Sequence, residues 1–278
     1  MGVKKVLGGS AGAVFLLIVS QVLASAAGMG LDGLNIPAGI CNMAAGALYL
    51  TIALFLTRLF VEKVLHQSVE SVGLTRLRID GKWIVTAVLL PAAVTGIYLL
   101  LPGGFVRSEM TGGEMFAAIC AGVFFTGIAA GFVEEIVFRG VILHLIKAKW
   151  GPTAAVLLPS VLFGAVHIIG MDFSPVSCLL VLSAGTMVGI MFSLIALEGG
   201  SVWNSGLVHA LWNILMIGGI LSIGEAPDPY SVMTYVLNTR NFLLTGGEFG
   251  VEASAIAAAG YCTVSLLALM LLKKKRHS

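Results

Sequence analysis

Glu134-Glu135-Ile136-Val137-Phe138-Arg139 places two adjacent carboxylates and a guanidinium between apolar runs, Phe116 to Val133 before it and Val141 to Ile146 after it. At hydrocarbon depth each such charge costs about 2.5–3.5 kcal/mol on insertion scales, so a membrane chain keeps it for a reason. On a helix Glu135 and Arg139 stand i,i+4 and can pair, while Glu134 is turned about 100° away and keeps a free face. Two histidines lie in other apolar stretches. His167 closes Phe163-Gly164-Ala165-Val166-His167, and His209 opens His209-Ala210-Leu211-Trp212-Asn213. Helical spacing sets Phe163 with His167, and His209 with Asn213, on common faces.

These side chains suit hydrolysis. A desolvated glutamate beside histidines can act as general base toward water, and a histidine can orient that water. His209 and the Asn213 amide are donors suited to an oxyanion forming on an attacked carbonyl. The same residues allow a second reading, with Glu134, His167 and His209 as a His₂Glu zinc set that leaves one position open. No His-Glu-x-x-His motif is present, so such a metal site would have to be assembled from separate helices. The metal-independent arrangement is favoured, because paired donors on one helix face serve an oxyanion and a zinc-centred site would not need them. Taken singly, the Glu135–Arg139 pair also fits a helix end with snorkelling charges, and a lone intramembrane histidine an interhelical hydrogen bond. Three polar clusters in separate spans each need a partner away from lipid, and the economical solution is that they face one another. Ser160, Ser183 and Ser205 lack a nucleophile-elbow context and read as helix-packing groups. Cys41, Cys120, Cys178 and Cys262 sit singly in apolar runs and read as small buried hydrophobes.

The elements that must position this set are membrane helices. The chain has 278 residues, 58% hydrophobic and only 11% charged. Soluble domains carry about 25% charged residues, so a polytopic all-α membrane protein is expected. Eight apolar segments can be read: Val6–Gly28, Ala38–Thr57, Trp83–Leu101, Phe116–Ile146, Ala154–Gly170, Val176–Leu197, Val202–Ile223 and Ala255–Leu272. The fourth is too long for one perpendicular span, and its second half is expected along the interface or as a tilted helix ending at Lys147-Ala148-Lys149. All Lys and Arg residues except Arg107 and Arg240 then fall on one side, which predicts cytoplasmic N- and C-termini in the cell membrane. The net charge of +2, distributed in this way, gives no sign of nucleic-acid binding. Lys4-Lys5, an apolar stretch and Ala24-Ser25-Ala26 also resemble a signal peptide, but the length of the run favours an uncleaved first span.

Between spans, Arg58 to Lys82 reads equally as an amphipathic interfacial helix or as an extension of span two. The outer loop Gly224 to Ser254 either caps the site or merely connects. Gly127-x-x-x-Gly131 and Gly185-x-x-x-Gly189 predict close helix approaches, the first one turn before Glu134. With no internal repeat and no water-soluble segment, residues 1–278 read as one integral membrane domain.

Glu-Glu-x-x-x-Arg, then Phe-x-x-x-His, then His-x-x-x-Asn in successive spans resembles the CAAX-processing and bacteriocin-processing (CPBP, or Abi) intramembrane endopeptidases, which include CAAX prenyl proteases. The resemblance covers residues 119–215, and Ser201-Val202-Trp203 ahead of His209 also looks like the family's last motif. It implies that Glu134 and His167 activate the water and that His209 and Asn213 stabilise the oxyanion. Glu135, Arg139 and Phe163 would support the site. The expected activity is endoproteolysis of membrane-associated proteins or peptides, of CAAX or bacteriocin-precursor type, with membrane lipids as the other partner, and without a cofactor unless zinc is used. Two other classes remain: a non-catalytic self-immunity or scaffold protein of the same fold, and a proton-coupled transporter using Glu134, His167 and His209 as a relay.

Overall fold

The computed structural model describes residues 2–169 and 174–277, with side chains to Lys275 in the last helix. Gly170, the expected end of span five, and the Arg276 side chain lie outside that description. The expected all-α membrane architecture is found: helices α1 (Val3–Asp32), α2 (Ala38–Leu59), α3 (Gly81–Leu99), α4 (Gly112–Cys120), α5 (Gly131–Glu135), α6 (Leu143–Val166), α7 (Pro175–Gly199), α8 (Val202–Met216), the short α9 (Phe242–Thr245) and α10 (Ala255–His277). The surface they present is apolar, with Leu7, Phe15, Val22, Phe55, Leu89, Leu179 and Leu266 all outward. A lipid-facing bundle needs such a surface, since lipid leaves no reason to hide it.

The count of eight spans is not confirmed. Among the described residues, six helices are long and apolar enough to cross a membrane. One of them, Gly112–Val166, takes in the fourth expected span and most of the fifth. It breaks at Gly151, whose φ of 83° is open to glycine, with Pro152 starting the next arm where no amide is needed. The seventh expected span is only the 15-residue α8, after which the chain turns into a β-strand. At 1.5 Å per residue that helix is roughly 22 Å long, short of the ~30 Å hydrocarbon core. The second half of span four is not interfacial either. Residues 136 to 143 are all buried in the bundle, where Leu145 packs on Gly9 of α1. Between α4 and α6 the helix is π-wound over Ala121–Ala130 and Ile136–Ile142, and the α-helical turn between these stretches carries both carboxylates. Stretches of π-helix recur at functional sites because they re-aim side chains and free carbonyls.

At one end of the bundle Lys5 donates to Leu65 O (2.7 Å), and Lys82 of α3 and Lys275 of α10 both grip Glu198 of α7 (2.7 Å each). The first and last helices therefore have their basic ends together. No interfacial helix forms between Arg58 and Lys82. Helix α2 runs on as a π-turn, Phe60–Val64, and stops where His66 takes a positive φ. Val61, Leu65 and Val72, which could have lined an amphipathic face, are instead tucked into the bundle end.

At the other end lies a feature absent from the all-α expectation, a three-stranded sheet of order β1-β3-β2. Strand β1 (Gly103–Arg107) pairs antiparallel with β3 (Met233–Leu237), which pairs parallel with β2 (Leu221–Gly224). The sheet ties the 224–254 loop to the α3–α4 connection. Beyond it, Tyr98 Oη lies 2.6 Å from both Leu244 O and Ser254 Oγ, and Tyr261 Oη donates to Glu252 O at 3.0 Å. The loop is thus folded back on the bundle.

Candidate active site

Gly151 sets the level of the site. Glu134 stands 17 residues before it and His167 16 residues after it, so antiparallel arms of nearly equal length bring both to the same height. The pairing is visible lower down, where the Phe138 and Phe163 rings meet edge to face at 5.1 Å. The third arm arrives through glycine. A Cβ on Gly131 would lie 2.8 Å from the Ala210 backbone, and one on Gly127 would run into Ile214. Only bare backbone lets α8 lie against the carboxylate helix, which is what the Gly127/Gly131 spacing predicted. Gly185 and Gly189 do the same for α7 against Gly164 and Ser160.

Glu134, Phe163, His167, His209 and Asn213 then line one cavity of about 330 Å³, together with Thr126, Phe192 and Trp212. Glu135 and Arg139 sit behind its wall with no exposure at all, Nη1 to Oε1 at 2.8 Å. Arg139 also donates to Gly189 O (3.2 Å), and its guanidinium lies 4.5 Å from the Phe163 ring and 5.3 Å from Phe192. Cation–π contact of this kind is strongest where water is excluded. The same Glu135 oxygen faces His209 Nδ1 at 3.1 Å. Arg139, Glu135 and His209 therefore form a chain: the guanidinium pairs with the carboxylate, and the carboxylate accepts from Nδ1–H and turns Nε2 toward the cavity. Phe192, stacked on the imidazole at 4.5 Å and 17°, holds the ring plane. Glu134 Oε2 lies 3.7 Å from that Nε2.

His167 is pinned differently. It caps the C-terminus of α6, where the last carbonyls have no amide partner, and its Nδ1 bonds Phe163 O at 2.6 Å. With the proton on Nδ1, Nε2 is left as an acceptor. Asn213 Nδ2 donates to Thr126 O at 3.0 Å, within the π-wound stretch, and retains a second N–H. Its Oδ1, with Glu135 Oε2 and Arg139 Nε, belongs to the few buried side-chain atoms without a hydrogen-bond partner among the described residues. Unsatisfied groups concentrated at one place mark a site rather than a core.

Against models of known families, residues 116–215 match type II CAAX prenyl endopeptidase Rce1-like. The match agrees with the family resemblance of the motifs and ends at the same residue, Leu215. No curated protein and no solved structure matches the chain. The Rce1-like segment contains every site residue expected from the sequence, and the structure brings all of them to one place. Among the described residues no group of three or more His, Cys, Asp or Glu side chains is placed to hold a metal ion.

Sequence reasoning missed Phe192 and Thr126, which lie inside the segment but in no motif. It also missed Phe249 and Glu252, which lie outside it, on the 224–254 loop, and line the same cavity. Phe249 meets the His167 ring edge to face at 6.2 Å. The loop caps the site. A lone carboxylate three residues before the apolar run at Ala255 was the available signal, and it resembles any loop charge.

Proposed function

We propose that the protein is an intramembrane endopeptidase that hydrolyses a peptide bond of a membrane-associated substrate, a prenylated CAAX-type peptide being the first to test. The observation that carries this reading is the convergence on one cavity of two differently prepared histidines, a glutamate that faces one of them, and an amide donor. Glu134 and His167 Nε2, both acceptors, take up and orient a water. As the water's oxygen bonds the carbonyl carbon, its proton passes to Glu134, and the oxygen that becomes negative meets His209 Nε2 and the free Asn213 N–H. Donation from Nε2 while Nδ1 donates to Glu135 needs the doubly protonated ring. One imidazolium and one guanidinium then balance the two carboxylates, so the cluster is neutral in a medium that penalises net charge. We place both termini on the cytoplasmic side, supported by the shared basic end of α1, α3 and α10. No step runs through a metal.

The test is cleavage of an internally quenched farnesylated CAAX peptide by the purified protein in detergent. Wild type should cleave it, and should keep doing so after chelation. Glu134→Gln should lose at least about 10²-fold, the scale of a general base, with unchanged melting. Retained turnover in Glu134→Gln defeats the assignment of the base. Activity lost to chelator and restored by zinc overturns the metal-free mechanism. Proton flux in vesicles without cleavage would favour the transporter instead.

A further inference from the structure

Breaking an amide needs a proton on the departing nitrogen, and the donors lining the cavity are almost all committed. His209 Nδ1–H is given to Glu135, His167 Nδ1–H to Phe163 O, one Asn213 N–H to Thr126 O and the Tyr261 hydroxyl to Glu252 O. The Trp212 indole N–H is directed at the Glu252 side chain. With His209 Nε2–H and the second Asn213 N–H on the oxyanion and Glu134 taking the water's proton, the group not yet used is the Glu252 carboxyl, half-buried, facing the cavity and fixed at both flanks by Tyr98–Ser254 and Phe249–His167 contacts.

We propose that Glu252, carried by the capping loop rather than by the Rce1-like segment, is the acid of the reaction and gives its proton to the amine nitrogen as the peptide bond breaks. This rests on the endopeptidase reading above. The C–N bond breaks with its electron pair going to nitrogen, and nitrogen takes the Glu252 proton. The carbonyl carbon leaves as the new carboxyl group, and Glu134, which holds the water's proton, returns it to the Glu252 carboxylate through cavity water. Proton count and charge close over one turnover.

The electrostatics suit the role. Burial, with the Glu134 carboxylate adding to it, raises Glu252 to about 8, so it keeps its proton at neutral pH. The titratable groups facing it are Glu134 and Tyr261, with His167 and His209 across the cavity. The facing part of α7 is Val181, Ala184, Gly185 and Val188, α9 carries no titratable side chain, and Glu248 in the preceding turn is exposed. Two carboxyl groups in one site with separated affinities for the proton form an acid and a base.

The experiment compares the quenched farnesylated peptide with an analogue carrying a thioester at the scissile bond, each cleaved by wild type and by Glu252→Gln. A thiolate leaves without a proton, its conjugate acid having a pKa of about 8.5. Glu252→Gln should lose about 10²-fold on the amide, and little on the thioester, whose cleavage also shows that the variant is folded. The wild-type amide rate should fall as pH rises through about 8, and that limb should vanish in the variant. Equal losses on both substrates, or an unchanged amide rate (as when Glu134 alone shuttles the proton), overturn the proposal while leaving the endopeptidase reading intact. A wild type that cleaves neither substrate overturns both.

Discussion

Glu135 and Glu198 are both glutamates with fully buried side chains beside cations, one behind the wall of the cavity and one at the end of the bundle where α7 meets α3 and α10. Glu198 is saturated. It accepts from Lys82, Lys275 and the Trp83 indole, donors delivered by α3 and α10, and so stitches three helices together. Glu135 is left short, with one oxygen shared between Arg139 and His209 and the other without a partner. The partners of Glu198 come from distant helices and lock the fold, whereas Arg139 comes from the next turn and frees Glu135 to orient an imidazole on another helix. Satisfied buried charge signifies architecture, and under-satisfied buried charge signifies a device.

That contrast can be broken most forcefully at Glu135. Glu135→Ala leaves Arg139 buried and unpaired, and the expected loss is about 3–5 kcal/mol of stability together with activity. Replacing Glu135 and Arg139 together by leucine should recover most of the melting temperature and none of the turnover, because His209 still lacks its acceptor. A double variant that regains activity would show that the chain to His209 is irrelevant. Glu198→Ala should cost less, on the order of 1–3 kcal/mol, because Lys82 and Lys275 are 36% and 55% exposed and regain water. Its specific activity in the folded fraction should match wild type, and a fall in kcat at constant melting would erase the distinction. The smallest effect belongs to Phe192→Leu, which removes a stacking contact worth about 1 kcal/mol from the His209 ring. It should lower kcat several-fold with KM unchanged. A change confined to KM would place Phe192 on the substrate instead.

The site was legible in the sequence to the extent that membrane physics made it so. Charges and imidazoles in apolar runs stand out because lipid leaves them nowhere else to go, and helical spacing then pairs Glu135 with Arg139 and His209 with Asn213. The depth of His167 was not legible. The apolar run of span four ends at Ile146, whereas the helix runs on to Trp150 and turns at Gly151, and it is that turn which sets the level of His167. The sheet was invisible because its strands are five residues or fewer and one of them, Gly103–Arg107, is exposed throughout. Glu252 escaped for a different reason: its membership of the cavity depends on pairings between β1 and β3 and on the Tyr98 contacts, none of which leaves a local pattern.

The Gly151 turn has a consequence for how the gene can vary. Two strings of nearly equal length hang from one peg, and the reacting groups are tied near their free ends. One residue inserted between Glu134 and Gly151, or between Gly151 and His167, moves its end by about 1.5 Å and swings it through about 100°. Additions beyond either free end leave the alignment untouched. Within the stretch from Glu134 to His167 the chain therefore keeps a fixed tally, and a change of length in one arm demands its counterpart in the other.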